Sequence, residues 1–405
     1  MSIAILYILS SLMYMRLLLL NIDSVVVSLG IPLLLLYSLL LYLYGSPVKV
    51  FKSFSSNKFF LNNLKISFLF LISSSIVFLQ GGDYVTSLMI FFKQILILCC
   101  FIVGYLSGEC SYKYSFKVFV CFLAIYIASG IMGLFMLAPY ELVDEIIRPI
   151  GFAGASEVMG HLSMFAFIFF LGMCFVYKNK KRTYYPLMLM SLILLLMSSH
   201  LKNIFIALPS VLLLFWLFGK IKLINIVYIF VFSVIAITLG MKYGGNLSFI
   251  VRINELFSTG ISLGIGEGDV VTNSGVFRII HWKMLFNDWY QNYFIFGVGA
   301  GNIYSLKGFG YDLGHRLAAH SDVVTFIVEL GVLVFPLFLY YIIYNFWILY
   351  KISKFNMKFK VLLAVYFSLL GASFAGGVYF SAAHSYLFWF IVGLFCANYK
   401  KRLIT

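Results

Sequence analysis

Ionisable side chains within or beside apolar segments are the first candidates for chemistry in this sequence. Glu157 and His161 are four residues apart, which places them on one face of a helix. His320 and Glu329 lie at the start of another apolar run, and Lys93 lies about nine residues into a third. Such groups cost several kcal/mol in hydrocarbon unless they face water, a partner or a ligand. They predict a hydrated site, although Glu157 and His161 could instead simply satisfy each other.

The elements that position these residues follow from composition. The chain has 405 residues, of which 63% are hydrophobic and 11% charged, whereas soluble domains have about 45–50% apolar and roughly 25% charged residues. This excludes a water-soluble domain, a disordered chain, a coiled coil, collagen and a secreted disulfide scaffold. The apolar runs are continuous and do not alternate, which argues against an outer-membrane barrel. The fold class expected is an all-α polytopic integral membrane protein.

Twelve apolar runs predict about twelve transmembrane helices. They are 3–20, 24–44, 66–80, 85–107, 118–137, 153–177, 185–200, 204–218, 223–241, 322–350, 361–379 and 385–397. One large outer loop separates the ninth span from the tenth. The expected organisation is a nine-span region over 1–241, the loop over 242–321 and a three-span region over 322–405.

Positive charge alternates between the joints that connect these spans. Nineteen of the 29 Lys and Arg residues fall in six joints that share one side if both termini are cytoplasmic. They are Lys49, Lys52, Lys58 and Lys65; Lys113 and Lys117; Lys178, Lys180, Lys181 and Arg182; Lys220 and Lys222; Lys351, Lys354, Lys358 and Lys360; and Lys400, Lys401 and Arg402. The net charge of +15 is therefore interpreted as a topology signal, and nucleic acid is not an expected partner.

The histidines map to the opposite side of the membrane. They are His161, His200, His281, His315, His320 and His384. Histidine titrates near neutral pH, so it suits proton transfer. The six cysteines show no disulfide framework and no metal-ligand spacing. No internal repeat is visible, which disfavours a transporter built from two halves.

The outer loop over 242–321 is too long to be a simple connection and too aromatic to be disordered. Its segment 276–290 places Arg278, Trp282, Leu285 and Trp289 on one helical face. This pattern predicts a short amphipathic helix at the depth of the lipid headgroups.

The stretch from 276 to 335 resembles the O-antigen polymerase and O-antigen ligase superfamily of bacterial envelope proteins. His320, Ser321 and Gly331 match a signature of the family, although Val334 departs from its usual continuation. Arg278-x-x-x-Trp282 followed by a glycine-rich turn also matches, and the matching residues of the turn are Gly297, Gly299, Gly301 and Asn302. Weaker similarity reaches Arg148 and the segment ending at Lys202, where the family often has arginine. The resemblance covers roughly 148–345.

The resemblance implies a metal-independent inverting glycosyltransferase of the periplasmic face of the inner membrane, with no cofactor. Its donor would be an oligosaccharide on undecaprenyl diphosphate. The basic residues available for the diphosphate are Arg278, Lys202, Arg148, Arg316 and Arg252. His320 would act as general base or hydrogen-bond the diphosphate. The supporting residues expected are Trp282, Gly299, Gly301, Asn302, Ser321, Glu329, Glu157 and His161.

Three functions remain open at this point. The leading expectation is a polymerase that transfers the growing glycan to the non-reducing end of a new lipid-linked unit, with membrane lipid and a chain-length regulator as partners. The first alternative is a ligase that transfers the glycan to lipid A–core by the same chemistry. The second is a transporter or flippase for the lipid-linked glycan, which would need polar residues through both membrane halves.

Overall fold

The computed structural model describes residues 57–80, 82–143, 146–153, 156–198, 201–222, 224, 274–308, 318–377 and 382–404. The predicted spans 3–20 and 24–44 lie outside them, as does all but one residue of 223–241. The described residues are mostly helical. Their α-helices are α1 Lys58–Gln80, α2 Tyr84–Leu134, α3 Ser156–Val176, α4 Lys181–Met197, α5 Leu201–Leu217, α6 Ser274–Asn292, α7 Asp322–Ser353, α8 Met357–Ala375 and α9 Ala382–Ile404.

Five of these helices, α1, α2, α3, α7 and α8, contain apolar stretches long enough to cross a membrane. Helix α5 contains a shorter apolar stretch, Lys202–Leu217. Length and apolar character together make this a helical membrane-embedded protein.

Helix α2 is two antiparallel arms joined at Ser111, whose φ of −157° and ψ of 84° interrupt the helix. The Ser115 hydroxyl donates to the Ser107 carbonyl at 3.0 Å. Residues eight apart in a straight helix are separated by about 12 Å along the axis, so the chain must reverse between them. The arms match the predicted runs 85–107 and 118–137, which the sequence shows as separate elements.

Small residues let the first arm of α2 approach α9 closely. A Cβ at Gly104 would lie 2.0 Å from the Phe390 carbonyl oxygen, and one at Gly393 would lie 2.1 Å from that of Phe101. One turn after Gly104, a Cβ at Gly108 would lie 2.8 Å from Cβ of Ala397. The backbones therefore touch through a small-x-x-x-small pattern on each helix, which is a common way for helices to pack without a hydrophobic driving force.

Four of the lysine-rich joints meet at one end of the bundle in the described structure. The Lys358 ammonium contacts the Tyr112 hydroxyl and lies 5.8 Å from the centre of the Tyr177 ring. Lys360 Nζ donates to the Leu217 carbonyl at 2.6 Å. These contacts join the turn of α2, the end of α3, the end of α5 and the start of α8. The amino ends of α3, α5 and α7 and the carboxyl end of α8 consequently lie at the opposite end, where the candidate site is found.

A short β-hairpin is present in this mostly helical protein. Strands β1 Tyr140–Val143 and β2 Ile146–Pro149 pair antiparallel, with Glu141 opposite Arg148. The physical reason is local, because the β-branched residues of this joint favour extended backbone and proline ends the strand. The Glu141 carboxylate accepts from the Ser156 hydroxyl at 2.6 Å, which attaches the hairpin to the start of α3.

Candidate functional site

Helix α7 is interrupted at Gly331, inside the span predicted over 322–350. Gly331 has φ of +66° and ψ of 175°, a left-handed conformation that glycine adopts without strain. The break frees backbone groups that pair with the preceding loop. Val298 N donates to the Val328 carbonyl at 3.0 Å, and Val332 N donates to the Phe294 carbonyl at 3.0 Å. Residues 322–330 thus form a short helix joined to the outer loop.

Glu329 fastens the glycine-rich turn to this short helix. Its side chain is 2% exposed, and it accepts hydrogen bonds from the backbone of Ile303, at 3.3 Å, and of Gly301. It also interacts electrostatically with Lys93 and Asp322. These contacts hold the glycine-rich turn against the short helix that contains Glu329.

Asn302 fastens the same turn to the junction of α1 and α2. Its side-chain oxygen accepts from Asp83 N at 2.8 Å, and its amide donates to the Ser87 hydroxyl at 2.7 Å. The Ser87 hydroxyl in turn donates to the Ala300 carbonyl at 2.6 Å. The glycine-rich turn with Gly299 and Gly301 therefore packs against protein on this side, and Asn302 serves its architecture.

Helix α6 forms as predicted, but its aromatic face points inward. Trp289 and Leu285 are buried in a small outer core whose members are Leu285, Trp289, Val298, Ile303, Leu306, Ala319, Val324 and Val328. These side chains pack on the loop and on α7, and contact of α6 with lipid headgroups stays a prediction. Trp282 Nε1 donates to the Ala319 carbonyl at 2.5 Å, which fixes the residue immediately before His320.

His320 lies on the surface at the amino end of α7, with an unusual φ of +52°. Ser321 caps that helix, its hydroxyl oxygen accepting from Val324 N at 3.4 Å. Partial burial and the nearby Arg278 guanidinium lower the pKa of His320 from its ordinary 6.5. The imidazole is thus kept neutral to a lower pH than usual, which suits it to accept a proton.

Four of the residues predicted from sequence converge here. Charges on Arg278, Glu157 and Lys202 all act on His320, although these residues are distant in the chain. Arg148, on the hairpin beside the start of α3, lies at the same end of the bundle but makes no contact with His320 in the described structure. Arg252 and Arg316, also expected to bind the diphosphate, lie outside the described residues.

Glu157, His161, Lys202, Asn203, Gly376 and His384 form a second group, here called the Glu157 cluster. The Glu157 carboxylate pairs with the Lys202 ammonium, and His161 Nε2 lies 3.6 Å from the same carboxylate oxygen. The rings of His161 and His384 meet edge to face with centroids 5.2 Å apart. A Cβ at Gly376 would lie 3.2 Å from both Glu157 Oε1 and Lys202 Nζ, so this backbone closes the cluster.

Sequence reasoning did not place Asn203, Asp322 or His384 at the site. Asn203 is fully buried. It immediately follows Lys202 in the sequence, and this position next to a candidate site residue could have indicated that it lies at the site. Asp322 N donates to the Gly376 carbonyl at 3.2 Å, which links the start of α7 to the Glu157 cluster. Nothing in the local spacing of His384 indicates that it meets His161.

The fold and the site together define a helical integral membrane protein with a histidine- and arginine-containing polar site at one end of its bundle. Within the described residues, no group of three histidine, cysteine or carboxylate side chains is arranged to hold a metal ion. Comparison with known protein families and with characterised proteins finds no match to this chain.

Proposed function

We propose that this protein is an O-antigen polymerase, which transfers a growing glycan from undecaprenyl diphosphate to the non-reducing end of another lipid-linked repeat unit. The observation that supports it most is the placement of His320 beside Arg278 at the bundle end opposite the lysine-rich joints. A proton acceptor and a phosphate-binding cation are the two groups this reaction needs.

The chemistry can be written with these two side chains. His320 accepts the proton of the acceptor hydroxyl as its oxygen forms a bond to the anomeric carbon of the donor sugar. The bond from that carbon to the diphosphate oxygen breaks, and undecaprenyl diphosphate leaves with the electron pair. Arg278 binds the charge that develops on the leaving diphosphate, in a setting where such interactions are stronger than in bulk water. Attack from the opposite face inverts the anomeric carbon.

The proposal includes a location. Lysine-rich joints collect on the cytoplasmic side, so the site would face the periplasm from the inner membrane, with both termini cytoplasmic and about twelve spans. Cysteine labelling at exposed positions of α6, such as Lys283, tests this topology directly. Labelling by a membrane-impermeant reagent in spheroplasts is the expected result, and protection there would overturn the location.

A purified, reconstituted preparation tests the function. Supplied with lipid-linked repeat units alone, the wild-type protein should make longer glycans, which transport alone cannot do. His320→Ala and Arg278→Ala should each abolish elongation while the protein still inserts stably. Lys283→Ala is the matched control, because it removes an exposed cation from the same helix. Polymer of normal length from both site variants would overturn the assignment.

The deletion strain separates polymerase from ligase, which share this chemistry. Loss of a polymerase leaves single repeat units attached to lipid A–core. Loss of a ligase leaves core without any repeat unit, and that result would replace the proposed acceptor by lipid A–core.

A further inference from the structure

We propose that the Glu157 cluster is a subsite for sugar hydroxyl groups, and that Lys202 serves this subsite and is not a ligand of the diphosphate. The inference deepens the proposed function, on which it rests. It divides the site into a phosphate half at Arg278 and His320 and a glycan half at Glu157, His161 and Asn203.

The charge balance of the cluster argues against phosphate. The Lys202 ammonium is paired with the Glu157 carboxylate, so the pair is close to neutral, and the carboxylate repels an approaching anion. A neutral ligand with many hydroxyl groups fits the Glu157 cluster better than a dianionic one.

The buried polar atoms of the Glu157 cluster suit a neutral ligand with many hydroxyl groups. Within the described residues, no hydrogen bond of normal geometry reaches either ring nitrogen of His161 or either polar atom of the Asn203 amide. His161 and Asn203 are 2% and 0% exposed, and buried polar groups are rarely left without hydrogen bonds. The two side chains together offer both donors and acceptors, which is what a sugar hydroxyl pairs with.

The separation of two of these side chains suits a bridging hydroxyl. His161 Nε2 and Glu157 Oε1 are 3.6 Å apart, which is too far for a hydrogen bond between them, but one oxygen can lie within hydrogen-bond distance of both. Exposure falls from 44% for the Glu157 side chain to 18% for Lys202 and 3% for His161. A ligand can therefore reach Glu157 from the surface and place a hydroxyl against the buried groups.

Two soluble probes test the two halves separately. One is the free repeat-unit oligosaccharide, released by mild acid from lipid-linked units, and the other is inorganic diphosphate. Binding to purified protein is measured by calorimetry. Asn203→Ala and Glu157→Gln should weaken oligosaccharide binding about tenfold, the usual effect of losing one net hydrogen bond, and leave diphosphate binding unchanged. Arg278→Ala should do the reverse.

Asn63→Ala is the matched control, because Asn63 is also buried with an amide oxygen lacking a hydrogen bond, but lies in α1. Glu157 is half-exposed, so Glu157→Gln keeps the test valid if Asn203→Ala fails to insert. Unchanged oligosaccharide binding in Glu157→Gln, or loss of diphosphate binding in Lys202→Met, would overturn the subsite. Either result leaves the polymerase proposal standing, whereas wild-type protein that binds neither probe defeats both.

Discussion

The backbones of Gly331 and Gly297 are in close contact where the outer loop crosses the interruption in α7. A Cβ at Gly331 would lie 2.4 Å from the Gly297 amide nitrogen, and one at Gly297 would lie 2.6 Å from the Gly331 nitrogen. Both residues also have positive φ, of +66° and +71°. The contact explains why glycine occupies position 331, since any side chain there would separate the loop from the helix.

Gly331→Ala should destabilise the protein by about 2–4 kcal/mol, because backbone strain and a backbone clash add together. Thermal unfolding in detergent measures the loss. Gly219→Ala is the control, because Gly219 has a similar φ of +68° but nothing within 4 Å of its Cβ position. It should cost only about 1 kcal/mol, and equal losses in the two variants would show that the close approach is unimportant.

Asn302→Ala should destabilise the protein by about 1–3 kcal/mol, because it removes the hydrogen bonds that the buried Asn302 side chain makes with Asp83 N and with the Ser87 hydroxyl. Asn292→Ala serves for comparison, since the exposed Asn292 amide donates only to Asp288. Chemical denaturation followed by tryptophan fluorescence reports both. A smaller effect at Asn302 than at Asn292 would contradict the role of Asn302 as a clamp.

The titration of His320 should be shifted to low pH. The pKa of His320 is lowered from 6.5 by partial burial first and by Arg278 second. Only the neutral imidazole reacts with diethyl pyrocarbonate, so the modification of His320, followed by mass spectrometry, should have a midpoint below 6.5. Arg278→Gln should raise this midpoint and Lys283→Gln should not. A midpoint that does not move in Arg278→Gln would exclude the electrostatic contact.

The lowered pKa of His320 also determines how the stability of the folded protein changes with pH. Between the ordinary and the lowered pKa, the unfolded chain binds the proton of His320 more readily than the folded one. The contribution of His320 to stability is therefore complete above pH 6.5 and decreases as the pH falls through that window.

Gly104→Ala should prevent α2 and α9 from packing, because the new Cβ would lie 2.0 Å from a backbone carbonyl that cannot move aside. We expect loss of monodisperse protein on size exclusion. Gly371→Ala is a milder change in α8, since its nearest neighbour is the flexible end of Ile206 at 2.8 Å. Wild-type behaviour of Gly104→Ala would refute the close packing.

The sequence predicted the two arms of α2 well, because a polar joint over 108–117 separates two apolar runs whatever their packing. It also predicted α3, α5 and α8 within a few residues. It did not indicate the interruption of α7 at Gly331, because the residues on both sides of this glycine are apolar. Hydrophobicity shows how apolar a segment is, and it does not show where the backbone of an apolar helix is interrupted.

For the site, too, the sequence predicts some features and only the tertiary structure shows the others. The sequence by itself determined where the hydrophobic segments lie, and it indicated that the lysine-rich joints share one end. Both features depend only on the residues within each segment and joint. It also singled out His320, Arg278, Glu157 and Lys202. Only the tertiary structure decided that Glu157 pairs with Lys202, that His384 meets His161, and that Asn203 lies beside them. Those contacts join helices far apart in sequence, and helix packing alone brings them together.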